Sequence, residues 1–155
     1  MQSSESTTHQ ETEALKTDVQ SQVVKKLFHK QESRGMTVIE FASRCVRTGE
    51  VHELVTTTHK SLATGDRVDQ VGFLGFVEIL NAGVLERGDH VTVNGNVIGT
   101  IAGFDDCHFP NHYNILIETE TLLCATDLEL TLAQRISFND GTMTEARSLE
   151  GKNDS

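Results

Sequence analysis

The sequence predicts a mostly β protein: a small antiparallel β-barrel of about seven strands with an amphipathic helix on its N-terminal side. Three observations lead there. From Met36 onward, apolar residues alternate with polar ones in short runs, the period of a half-buried strand. Turn-forming Gly, Asn and Asp recur about every 8–12 residues between those runs. Only before Gly35 does the apolar spacing follow a helical period.

With 155 residues, the chain has room for one domain with a real core. Residues 1–9 and 139–155 are polar with little to bury, so both are expected as disordered tails. The helix is expected over residues 10–34 and the barrel domain over residues 35–138. The formal charge is −10 with neutral histidines. So acidic a surface repels phosphate backbones and anionic lipid, which argues against nucleic-acid and membrane partners. No apolar run approaches a membrane span, and Met1-Gln2-Ser3-Ser4-Glu5 has neither the basic nor the apolar region of a secretory signal. A cytoplasmic location is the expectation. Three cysteines, Cys45, Cys107 and Cys124, are too scattered for a disulfide framework or a Cys-x-x-Cys zinc site. Cys45 and Cys124 have apolar neighbours and are expected in the core.

Taken in order, Ala14, Leu15, Val19, Val23, Val24, Leu27 and Phe28 fall at spacings of one, four, four, one, three and one, one face of a helix. Thr8 or Thr12 would cap its start; Lys25, Lys26, His29 and Lys30 suit the negative end of its dipole, and Gly35 stops it. Its apolar stripe would pack on the domain, on a second copy or on a partner subunit. Thr37, Ile39, Phe41 and Ser43 then alternate with Val38, Glu40, Ala42 and Arg44, a strand running into Val46. Thr48-Gly49-Glu50 turns into a strand from Val51 to Thr58, on which His52 is placed on an exposed face. His59 follows that strand, next to three threonines, where it could act as acid, base or phosphate acceptor.

Val68, Val71, Phe73, Phe76, Val77, Ile79 and Leu80 supply much of the core. Gly72 and Gly75 among them mark a bulge, a bend or close backbone approach. After the short Val84-Leu85, His90 to Val93 and Val97 to Phe104 flank Asn94-Gly95, a strong hairpin signal. Tyr113 to Thr121 reads as the next strand. Leu128, Leu130 and Leu132 alternate with Glu129, Thr131 and Ala133 in a last strand, Leu128 to Phe138.

The connection Asp105 to His112 is longer than the usual hairpin loop of about 2–5 residues, and long polar loops between good strands are where function concentrates. The stretch 103–114 holds the only proline and the only tyrosine of the chain. Pro110 pushes Phe109 out of the helical region, so His108 and His112, although four apart, are not expected on one helix face. Three chemistries fit. Asp105, His108 and His112 could bind a divalent metal, zinc or iron, with positions left open for substrate. One histidine, oriented by Asp105 or Asp106, could serve as general acid or base. A histidine could also accept a phosphoryl group. Alternatively the loop is a purely structural turn built by Asp, Asn and Pro.

The run Gly88-Asp89-x-Val91-x-Val93-x-Gly95-x-x-Ile98-Gly99-x-x-Ala102-Gly103-Phe104-Asp105-x-x-His108-x-Pro110-Asn111-His112-x-Asn114-Ile115 resembles a family of small bacterial proteins of unknown function. Gly65-Asp66-x-Val68 and Gly72-Phe73-x-Gly75-Phe76 belong to the same pattern, which covers residues 55–118. A fainter similarity, in Gly-Asp, a short strand, a turn and Ile98-x-x-x-Ala102-Gly103, is to the glucitol/sorbitol-specific enzyme IIA of the sugar phosphotransferase system. There the phosphorylated histidine follows a strand, the position His59 takes here, which implies a phosphocarrier.

The expected function is binding or transformation of a small polar metabolite at the 105–114 loop, assisted by a metal on Asp105, His108 and His112. His108, His112 and Tyr113 would carry the chemistry, with Asn111 and Tyr113 facing the substrate. The competing classes are a non-enzymatic accessory subunit and the histidine phosphocarrier.

Overall fold

The computed structural model describes residues 15–141, which form twelve strands and no helix. They are β1 (Val19–Lys26), β2 (Lys30–Gln31), β3 (Met36–Thr37), β4 (Ser43–Val46), β5 (Val51–Thr57), β6 (Arg67–Val68), β7 (Val71–Ile79), β8 (Gly83–Glu86), β9 (His90–Val93), β10 (Asn96–Asp105), β11 (Asn114–Glu118) and β12 (Arg135–Asn139). Seven strands close a ring in the order β1-β12-β9-β10-β11-β5-β7, because β7 also pairs with β1; β2 joins the start of β7. Every neighbour in the ring is antiparallel except β5 and β11, which run parallel. Two small pairs, β3 with β6 and β4 with β8, lie outside it. No helix among the described residues is long and apolar enough to cross a membrane.

The core divides where central strands send alternate side chains to opposite faces. Leu54, Leu74, Ile115 and Ile117 pack with Phe104, Ile136 and Phe138 in one cluster. Their neighbours Val55, Phe73 and Leu116 pack with Met36, Val38 and Val68 in another. β5 is therefore buried along nearly its whole length, so any charged residue on it needs a partner.

The N-terminal helix expected over residues 10–34 is not present in its described part: β1 occupies residues 19–26. Val19, Ser21 and Val23 point inward and are buried, whereas Leu15, Val24 and Phe28, three of the seven residues of the apparent helical stripe, are exposed. Ser21 hides the alternation. A polar residue occupies an inward position because its hydroxyl donates to the Ile136 carbonyl at 2.8 Å. A register shift between Val23 and Lys25 then breaks the period. Residues 10–14 of that expected helix, and the tails apart from residues 139–141, lie outside the described residues. Asn139 ends β12 and is buried.

Two further strands differ from expectation. The single strand expected from Met36 to Val46 is two, since β3 pairs with β6 while β4 pairs with β8. The strand expected from Leu128 begins only at Arg135; turns occupy most of the preceding stretch, with Glu129 and Ala133 at positive φ. Backbone bonds from Ala133 to Val23 and from Val23 to Gln134 tie that stretch to β1. Cys124 is buried as expected, but Cys45 on the short β4 is exposed.

Two features fix β1 and the segment before it against their neighbours. Gly75, at φ +142, packs so tightly on β1 that an added Cβ would overlap the Lys25 carbonyl oxygen. Lys16 reaches from the segment before β1 to Asp89 at 2.7 Å and Glu86 at 2.9 Å, and donates to the Val84 carbonyl. Burial pushes the Asp89 carboxyl up despite the Lys16 ammonium.

Lys16→Ala, which strands the Asp89 charge, should therefore cost about 3 kcal/mol of unfolding free energy in urea titration. Gly75→Ala should cost at least as much, about 3 kcal/mol, by forcing β7 and β1 apart.

Candidate functional site

β10 and β11 form a hairpin whose connection spans residues 106–113, close to the length the sequence suggests. Asp105 fixes its base. One carboxylate oxygen accepts from the Thr37 amide at 2.9 Å; the other accepts from the Cys107 amide at 3.0 Å and the Asn114 side-chain amide at 2.9 Å. Burial would raise the Asp105 pKa, but these donors and the Cys107 thiol outweigh it and hold the carboxyl below its ordinary range. Cys107 is pushed up by its own partial burial and by Asp105, against the pull of Arg34. It is thus held as a thiol, not an activated nucleophile. The Phe109-Pro110 bond is cis.

The loop folds back over the start of β5. Parallel pairing sets Asn114 opposite Glu53, which brings His112 Nε2 to 3.2 Å from the Glu53 carboxylate. Both side chains are buried. Phe76 meets the His112 ring edge-on, and the His108 ring stacks on it with centroids 5.0 Å apart. Glu53, His108 and His112 each offer a ligand atom, and the three atoms lie within 4.8 Å of one another. His108 is exposed, and its Nε2 is 3.1 Å from the Arg34 guanidinium. Arginine only donates, so Nε2 accepts and the ring proton sits on Nδ1.

A second histidine–glutamate pair lies beside the first. His52 Nε2 is 2.7 Å from Glu50, and its Nδ1 accepts the Tyr113 amide at 3.1 Å. That amide bond fixes the neutral tautomer with the proton on Nε2. His52 is buried, contrary to the exposed face expected for it. Burial lowers its pKa, with Arg44 and His112 adding to the effect, and together they outweigh the opposing pull of Glu50.

Two clefts meet at Tyr113. One, about 170 Å³, runs between Glu50, His52 and Val51 on one side and Phe109, Asn111 and His112 on the other. The second, about 250 Å³, is lined by Ile39, Phe41, Ser43, Cys45 and Phe104. Arg44 and Tyr113 border both, with the guanidinium 3.7 Å above the tyrosine ring.

The structure thus brings together His108, His112, Tyr113 and Asn111 of the residues singled out in the sequence. Asp105 is adjacent but lies outside the ligand group; its oxygens are taken by the Thr37 and Cys107 amides and the Asn114 side chain. His59 is remote. It follows the far end of β5, beyond Thr57, and about 13 Å of strand separates Thr57 from Glu53. Glu53, Arg34, Arg44 and His52 were missed as site residues. The available signal was Glu53 inside Val51-His52-Glu53-Leu54-Val55, a carboxylate beside the apolar Leu54 and Val55.

A model of a family of unknown function, DUF6917, matches residues 13–139. No curated protein and no solved structure matches the chain.

The His52 geometry has a pH consequence. Its folded pKa lies below its ordinary value of about 6.5, so between the two the unfolded chain holds more protons and stability rises with pH. The contribution is complete above about pH 6.5 and is lost as pH falls toward the folded pKa. His52→Gln keeps an acceptor for Tyr113 and a donor for Glu50. The drop in unfolding free energy between about pH 7 and pH 5 should be smaller in this variant than in the wild type, measured by urea denaturation.

Proposed function

Because the chain belongs to the DUF6917 family, whose description assigns no activity, we propose from geometry that the 105–114 loop binds or transforms a small polar metabolite with the help of a divalent metal. Glu53, His108 and His112 would hold the ion. The observation that carries this reading is the convergence of three ligand atoms within 4.8 Å.

The donor set suits zinc or iron. Two donors about 2.0–2.1 Å from a tetrahedral ion are about 3.3 Å apart. The Glu53 to His112 separation of 3.2 Å matches that edge. Two imidazoles and one carboxylate also leave coordination positions open. His108 must close the remaining distance and free a ring nitrogen. Its exposure permits the swing, and Arg34 would release Nε2 or the ring would turn Nδ1 inward. A bound ion would supply Lewis acidity or an activated water. The chain's own residues do the rest. Phe76 and Glu53 fix the His112 ring, Asp105 and Asn114 set the loop, and Asn111 and Tyr113 border the cleft beside His112.

The untagged protein should bind about one equivalent of zinc or iron by plasma mass spectrometry. His112→Ala and Glu53→Gln should each weaken zinc binding by about 100-fold or more, beyond the effect typical of an outer-shell change. His108→Ala should weaken it as well. Less than about a tenth of an equivalent after incubation with zinc, iron or manganese, or unaltered zinc affinity in a folded His112→Ala variant, would rule the site out.

A further inference from the structure

The larger cleft at Tyr113 has the makings of a site of its own. Its walls are Ile39, Phe41, Phe104 and Tyr113, all apolar or aromatic, and the sole charged residue lining it is Arg44. In a chain of net charge −10, a cleft whose one charge is a cation is an exception that needs a cause.

Arg44 is under-used where it stands. Among the described residues its side chain makes no hydrogen bond, and its nearest carboxylate oxygen, on Glu50, is 3.9 Å away. Glu50 is already engaged by His52 and by the Arg47 amide. The Arg44 Nε is buried with no acceptor, a condition that native proteins avoid unless a missing group completes it. The guanidinium carbon lies 3.7 Å over the Tyr113 ring, which fixes the head group at the cleft, and a positioned arginine favours bidentate recognition of a carboxylate.

The apolar walls set the rest of the ligand. Phe41 is 62% exposed at the cleft's rim, and Phe109, 57% exposed, packs near Tyr113 at 5.2 Å between centroids. Aromatic faces left open around a fixed cation suit a flat apolar body. At about 250 Å³ the cleft lies near the small end of ligand pockets, about 300 Å³, so the body is a single ring or its equivalent.

We propose that the cleft formed by β4, Phe41 and Tyr113 binds a small organic carboxylate with a flat apolar body, its carboxylate on Arg44. The Ser43 hydroxyl, on the same cleft wall, supplies a further donor. Arg44 and Tyr113 also border the cleft that contains His112, so a ligand seated here extends toward the proposed metal site. The inference names a ligand class for that neighbouring site. It rests on the metal reading only for the ligand's far end, since none of the cleft's residues belongs to the Glu53, His108 and His112 group.

The test uses the full chain, stripped with chelator or loaded with zinc, titrated with benzoate and with neutral benzyl alcohol. Binding is followed by NMR of the arginine Nε–H signals. Benzoate should bind the metal-free protein with Kd of about 1 mM or tighter and move the Arg44 signal; benzyl alcohol should bind at least about tenfold more weakly. Arg44→Gln should lose about tenfold or more in benzoate affinity while its zinc uptake matches the wild type. The proposal is overturned if benzoate leaves the Arg44 signal unmoved, if benzyl alcohol binds as well, or if benzoate binds only zinc-loaded protein and equally so in Arg44→Gln. Should that variant fold poorly, the contrast between benzoate and benzyl alcohol on the wild type decides. Failure of zinc binding alone would overturn the metal site and leave this cleft standing.

Discussion

The parallel pairing of β5 with β11 is the constraint on which the site depends. Parallel neighbours cannot be joined by a tight turn and need a long crossover. Here β6 to β10 lie between them in sequence. The pairing sets Glu53 against Asn114, so the loop that precedes β11 has to come down over the beginning of β5. The His112 contact to Glu53 and the Tyr113 amide bond to His52 both follow from that single register. A slip by one residue would turn Glu53 to the opposite face and remove the partner of His112.

Burial then gives these contacts their weight. β5 is covered on both faces, and Glu53 is 6% exposed. A carboxylate there is tolerable only with a hydrogen-bonding partner. Its pairing with His112 satisfies a structural need and at the same time gathers the donor atoms that a metal would want. A buried His–Glu pair by itself is common structural chemistry. His108 adds an exposed third donor beside the pair, held there by its stack on His112 and by Arg34.

The local electrostatics run against the chain as a whole. The protein is strongly acidic, yet the loop has Arg34 on one side, at His108 and Cys107, and Arg44 on the other, at Tyr113. Two arginines thus meet a region that also carries the Glu50, Glu53 and Asp105 carboxylates, so local charge there differs from the acidic average of the chain.

Local signals in the sequence were sufficient for β5, β7, β9 and β10, for the long loop after Asp105, and for its crowded histidines. The Asn94-Gly95 turn carries its own φ > 0 preference and needs no tertiary help. Gly72 and Gly75 announced close backbone approach because no side chain fits where the Leu123 and Lys25 carbonyls press on β7. The helix expected before Gly35 failed because Ser21 broke the strand alternation and only a distant carbonyl, Ile136, explains why a serine can point inward. Leu128 to Leu132 mimicked a strand for the opposite reason: alternation was present, but positive φ at Glu129 and Ala133 curls the chain into turns. By itself, then, the sequence determined the β class, the hairpin turns and the place where polar chemistry concentrates, because these rest on short-range periodicity and turn preference. Tertiary structure alone decided that the ring closes through β1 and β7. It also decided that Glu53 rather than Asp105 stands with the two histidines, and that Arg44 lies on Tyr113. Each of these joins residues about 50 or more positions apart, and such pairings are chosen by global packing, to which no local pattern is sensitive.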